Sequence, residues 1–209
     1  GPGHDLKLPD TTPYFTPMTT TTFLKCSTRN GKLKNRLIFS LPAGYSCPHA
    51  GVCKTFADRN TGKLTDLPQT TGTQAPEFRC FAACSEKYPA VRDLRWHNFE
   101  LLRACDVSDH TQLAALIFNS LMAAPKKDLI RIHESGDFWT EMYMRAWIEV
   151  ATLLPDIKMY AYTKSLGMWQ SLYDYIPDNF YLTASYGGTL DYMIPREPKI
   201  FKRYSRVVY

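Results

Sequence analysis

The chain has 209 residues, 44% of them hydrophobic, and a formal net charge of +5. That is enough apolar material for one domain with a sizeable core, yet no apolar run approaches the roughly 18 residues of a membrane span. The N-terminus lacks the charged-then-apolar pattern of a secretory signal, so a cytoplasmic location is expected. In a chain this long, the six cysteines argue against a disulfide framework and toward ligation.

In chain order, Gly1-Pro2-Gly3 reads as a cleavage scar, and His4 is given no function. Residues 1–22 form an extended, threonine- and proline-rich lead-in to a single domain over 23–209. TTFLKCST and NRLIFSLP flank Asn30-Gly31-Lys32 and predict a short hairpin ending at Pro42. From Gly44 to Thr73 the chain reads as a loop that needs something besides a hydrophobic core to organise it. This loop opens a cysteine-rich segment over 44–105, whose second part predicts two helices separated at Pro89. TQLAALIFNSLMAA follows as a helix capped by Ser108 or Asp109 and ended by Pro125.

The second half alternates cleanly. DLIRIHES, IKMYAYTKS and NFYLTASYGG read as strands, with TEMYMRAWIEVATLL and GMWQSLYDYI as the helices between them. A β-α-β-α-β run with short connections favours right-handed crossovers and a parallel sheet. The expected fold is therefore α/β, a partial barrel or open parallel sheet with a cysteine-rich loop and a helical insertion. At the C-terminus, Lys199, Lys202, Arg203 and Arg206 interleave with Phe201 and Tyr204. They read as an edge-like strand, and only weakly as a nucleic-acid contact.

Cys80 and Cys84 in CFAAC stand four apart, a spacing that puts both sulfurs on one face of a helix. Cys47 and Cys53 in SCPHAGVC need a loop to converge, and Pro48 and Gly51 favour one. Four thiolates suit either a [4Fe-4S] cluster or zinc; the wide gaps are unlike a zinc ribbon and make the cluster the leading expectation. Zinc and no shared centre remain open alternatives, with His49 a substitute ligand or a solvent-facing neighbour. Ligation by three cysteines would leave an iron open to S-adenosylmethionine, but the usual CxxxCxxC is missing because Lys87 stands where its third cysteine would fall.

Three strand ends are polar: His133, Glu134, Ser135, Gly136 and Asp137; then Thr163, Lys164 and Ser165; then Ser185 and Tyr186. Ligands of parallel α/β proteins sit beyond such ends, so these residues form the candidate pocket. Blander roles compete. Asp137 and Thr140 are also helix-capping residues, and a lone strand histidine such as His133 is more often a bonded core residue. Lys164, just past an apolar strand, suits an anion or a pairing with Asp137 or Glu134.

SCPHAGVC, CFAAC, RIHESGDFW, AYTKS and TASYGG, in this order from about Leu41 to Gly188, resemble the phage family known as gene product eighty-eight. The resemblance implies a bacteriophage protein with a cysteine-rich segment before an α/β region similar to part of a radical-enzyme barrel. It matches Cys47, Cys53, Cys80 and Cys84 to the family's cysteines, and Ser135, Gly136, Asp137, Thr163, Lys164 and Ser165 to its strand-end motifs. The combined expectation is a phage-encoded protein of the host cytoplasm with a [4Fe-4S] cluster on those four cysteines and a redox or radical S-adenosylmethionine-like role. The alternative is a zinc-stabilised nucleic-acid or protein binding module. A small molecule or electron donor is the expected partner, nucleic acid is allowed, and no membrane is involved.

Overall fold

The computed structural model describes residues 22–28, 35–66 and 79–206. The lead-in up to residue 21, the Asn30-Gly31-Lys32 turn and the second part of the long loop lie outside the described residues.

The described elements are β1 (Ser27–Thr28), β2 (Arg36–Phe39), β3 (Thr55–Ala57), β4 (Leu64–Asp66), α1 (Phe81–Cys84), α2 (Pro89–Arg103) and α3 (His110–Ala123). They continue with β5 (Leu129–Ile132), α4 (Glu141–Leu153), β6 (Lys158–Thr163), α5 (Leu166–Leu172), β7 (Phe180–Ser185), α6 (Met193–Arg196) and β8 (Tyr204–Ser205). Local chemistry sets several boundaries. Pro89 opens α2 at its first position, where a missing N–H costs nothing. Asp109 caps α3 by accepting from the Thr111 N–H, and Thr140 caps α4 by accepting from the Tyr143 N–H.

The main sheet runs β1-β2-β5-β6-β7-β8, with β1 antiparallel to β2 and every later pair parallel. It is mixed and mostly parallel, and it does not close into a barrel: β1 and β8 are its two edges. The basic C-terminal segment supplies that second edge as β8. A separate hairpin, β3 with β4, structures part of the stretch expected to be loop. Asp58 nucleates it by accepting from the Asn60 and Thr61 N–H groups, and Gly62, at φ 74°, completes the turn.

Strand order follows chain order, the arrangement that right-handed crossovers give to consecutive parallel strands. α3 packs on α4 and α4 on α5. Ile130 and Ile132, Met159 and Ala161, and Phe180, Leu182 and Ala184 meet these helices in one continuous core with Trp147 and Tyr143. The alternate residues point the other way. Arg131, Tyr160, Tyr162, Tyr181 and Thr183 are half-buried or exposed, so the second face of the sheet lacks an apolar cover over β6 and β7. No helix among the described residues is long and apolar enough to cross a membrane.

The chain leading into β1 is held by side chains from α2 and α3. Buried Asn98 accepts from the Lys25 N–H at 2.7 Å and donates to the Lys25 and Ser40 carbonyls at 2.8 and 3.2 Å. Ser120 accepts from the Leu24 N–H at 2.8 Å. Asn98→Ala orphans these backbone groups, and is expected to lower stability by about 2–3 kcal/mol. Urea denaturation should show a lower midpoint with an unchanged m-value.

Candidate functional site

Asp137 ties two of the three polar strand ends together. It is buried, and its Oδ1 accepts from the Thr163 hydroxyl at 2.6 Å and the Phe138 N–H at 2.7 Å, while Oδ2 accepts from the Lys164 N–H at 2.9 Å. Ser165 adds a bond from its hydroxyl to the Phe138 carbonyl at 2.6 Å. Burial pushes the Asp137 carboxyl up from its ordinary value, and these donors together with the Lys164 charge pull it back down. Asp137 therefore joins the β5–α4 and β6–α5 loops, and Thr140 does the capping.

The loop after β5 is pressed against the chain after β2. Leu41 N–H donates to the Ser135 carbonyl at 3.0 Å. Gly136 has φ 86°, and a Cβ there would lie 2.5 Å from Ser46 Oγ and 2.7 Å from Leu41 Cβ. Only glycine fits this crossing. His133 turns into the core at φ 66°, stacks edge-on against Phe138 and bonds Tyr143 through Nε2 at 2.8 Å. Its Nδ1 has no partner among the described residues, and burial pulls its pKa down to about 3. His133 thus takes the core role.

Lys164 and Ser185 face away from that core. Lys164 Nζ donates to Ser185 Oγ at 2.8 Å. The loop after β7 folds back through Asp191, which accepts from the Gly187 and Gly188 N–H groups at 3.0 Å each. The SCPHAGVC loop docks on this turn: Ala50 bridges Gly188, and the Gly51 and Val52 N–H groups donate to the Gly187 carbonyl at 3.1 and 3.3 Å. A Cβ on Gly51 would sit 2.7 Å from that carbonyl oxygen, so the glycine permits the contact. Tyr186 lies apart, against Tyr204 and under the Arg206 guanidinium.

The expected four-cysteine metallocentre is not formed. Among the described residues, no group of three or more His, Cys, Asp or Glu side chains is arranged to hold a metal ion. The cause is local. Helix α1 starts at Phe81, leaving Cys80 as its N-cap at φ −56° and ψ 113°, so the four-residue spacing does not stack two sulfurs on one helical face. Cys84 Sγ instead points back along its own turn, 3.5 Å from the Cys80 carbonyl. Cys47 lies within electrostatic reach of Cys53 and Cys80, and burial first, then the Asp137 charge, pushes its thiol up to about 12. All six cysteines are free. The iron–sulfur assignment therefore falls, with the redox or radical role that depended on it, and so does the zinc-stabilised alternative.

Sequence reasoning missed a cavity of about 690 Å³ that lies against the sheet at the ends of β2 and β5. Ser27, Ser40, Arg131 and Glu134 line it from the sheet side, and Phe81 and Ser85 from α1 and the turn after it. A buried ion pair holds that helix in place. Glu86 accepts from the Ala43 N–H and from Arg95, both at 3.0 Å, and Arg95 also donates to the Ala82 carbonyl and Ser85 hydroxyl. Burial pulls both partners toward neutrality, Glu86 up and Arg95 down, against their mutual attraction. The alternation in LIRI carried a signal for Arg131, since it marks the arginine as facing away from the helical core.

His133 makes stability depend on pH. Between its unfolded pKa of about 6.5 and its folded pKa of about 3, the unfolded chain takes up a proton that the folded chain refuses. The contribution is fully present above about pH 6.5 and is lost as pH falls, at up to about 1.4 kcal/mol per pH unit. Urea midpoints of His133→Asn should fall less steeply with acidification than those of the parent chain.

No solved structure matches the chain. Two mycobacteriophage proteins do, both called Gene 88 protein. That of Mycobacterium phage D29 is 34% identical over 109 residues, covering 47% of this chain and 45% of the relative. That of Mycobacterium phage L5 is 34% identical over 111 residues, covering 47% and 46%. The matched region thus spans less than half the length of either relative, and neither name carries a metal or a reaction. A family model described as Gene product 88 matches residues 18–209. With nearly its whole length matched, the chain belongs to the Gene product 88 family, which has members encoded by bacteriophages.

Proposed function

We propose that the chain binds a small organic anion at the carboxyl ends of its parallel strands. The observation that carries this reading is the cavity between the sheet and α1–α2, which opens where parallel α/β proteins take their ligands. Its volume of about 690 Å³ falls within the range of about 300–1,000 Å³ typical of small-molecule sites.

The lining suggests the class of ligand. Arg131 supplies a planar cation suited to a carboxylate or phosphate, and Ser27, Ser40 and Ser85 supply hydroxyls. Phe81, 87% exposed, offers a ring at the rim for a planar or apolar part of the ligand. Glu134 accepts from a ligand hydroxyl or amine and disfavours compact, highly charged anions. At the neighbouring strand end, Lys164 adds positive charge, with its ammonium on the Ser185 hydroxyl. A ligand that combines one or two negative charges with a ring and hydroxyls, such as a nucleoside monophosphate, suits this lining.

Thermal unfolding with a panel of organic anions, adenosine monophosphate first, tests the reading. A true ligand at 100 times its Kd should stabilise the fold by about 2.7 kcal/mol. Ser27→Trp, at an exposed position on β1, fills the cavity mouth and should abolish that shift while leaving the unliganded midpoint nearly unchanged. A panel with no stabilising member, or a shift that survives Ser27→Trp, would defeat the assignment.

A further inference from the structure

We propose that the uncovered face of the sheet is a platform for single-stranded nucleic acid. This rests on the face over β6, β7 and β8, and it stands whether or not the cavity near β2 takes a small anion.

Strand register assembles the platform. One row runs Ile38, Arg131, Tyr160, Tyr181 across β2, β5, β6 and β7. The next pairs Tyr162 with Thr183, and beyond it Ser185 pairs with Ser205 beside Lys164. Arg36 and Lys158 stand at the opposite end of the same face, each in register with Leu129. Arg203, next to β8, reaches back over the Tyr181 ring, and Arg36 lies over the Tyr160 ring, at 5.2 and 5.5 Å from the ring centres. Tyr162 and Tyr181 are 46% and 36% exposed.

At the strand positions of this face the charge is positive. Arg36, Arg131, Lys158, Lys164 and Arg203 belong to it, and no strand position of the face carries a carboxylate among the described residues. The nearest carboxylates stand off the strands: Glu134 shares the cavity with Arg131, and Asp174 and Asp178 line a groove beside β7 that Tyr181, Lys199, Lys202 and Arg203 also line. Cations interleaved with exposed tyrosines match a phosphate backbone whose bases are free to stack. Arginines placed over tyrosine rings extend the surface on which bases stack, because a base stacks on a guanidinium plane as well as on a ring. A duplex keeps its bases paired and offers the rings nothing, so the occupant is single-stranded. Ile38 is buried at the β2 end, and from β5 to β8 the face spans about 14 Å at the usual strand spacing, room for about three nucleotides.

The test is fluorescence anisotropy with the full chain and labelled oligo(dT) or oligo(U) of about twelve nucleotides, at about 50 mM salt and again at about 200 mM. Either strand chemistry, DNA or RNA, should bind, with affinity falling as salt rises and a duplex of the same length binding at least about tenfold more weakly. The double variant Tyr162→Ala with Tyr181→Ala should weaken binding by about tenfold or more, and the matching double phenylalanine variant should retain it. Arg203→Gln, which leaves both rings in place, should lower the salt slope by about one. Absence of binding by both oligonucleotides, equal affinity for the duplex, or alanine variants that bind as the parent does would each overturn the proposal. Ser27→Trp separates the two sites: it should remove the thermal shift by the small anion and spare oligonucleotide binding.

Discussion

Because β5, β6 and β7 lie side by side and parallel in chain order, the helices that join them, α4 and α5, pack in one core against one set of alternate strand residues. Over β6 and β7 the arrangement is one-sided, and the candidate surfaces follow from that. β6 and β7 bury one set of alternate residues against α4 and α5 and present the other set outward. In a doubly wound sheet Tyr160, Tyr162 and Tyr181 would sit under a second helical layer. Here they are accessible, and the arginines beside them have no reason to be replaced by apolar residues.

The strand-end residues divide along the same line. His133, Ser135, Asp137, Thr163 and Ser165 are all buried, and most of them bond to one another's loops or to the helical side. Glu134, Lys164 and Ser185 remain on the accessible side. The polar motif that looks like a single pocket in sequence is thus a rigid clamp plus a smaller set of groups on the other side of the sheet. A buried carboxylate satisfied by three donors fixes the loops in place. It leaves the recognition chemistry to its neighbours.

Much of the fold was legible because its signals are local. Alternation in KMYAYT and FYLTAS, Pro89 at a helix start and Asp109 before an apolar run each act within a few residues. The role of Asp137 was not legible, since its partner Thr163 lies 26 residues further on and the sequence around Asp137 equally suits a helix cap. The cysteine reading failed for a related reason. Spacing of four predicts a shared face only if both residues are helical, and the extended ψ of Cys80 is decided by packing of the turn rather than by CFAAC itself. The hairpin β3–β4 shows the opposite error: Asp58, Asn60 and Gly62 carry an ordinary turn signal inside a stretch whose lack of periodicity predicts a loop.

The ion pair beneath α1 constrains how this chain can diverge. Glu86 and Arg95 are both shielded from water, so losing either partner strands a charge at a cost of about 3–5 kcal/mol, a large share of the stability of a typical domain. Replacing both by apolar residues of similar volume is often neutral. The two ends of that exchange are accessible and its midpoint is not. The pair therefore acts as a ratchet: single substitutions are blocked, and the helix bearing Phe81 keeps its place over the sheet while the exposed residues around it remain free to drift.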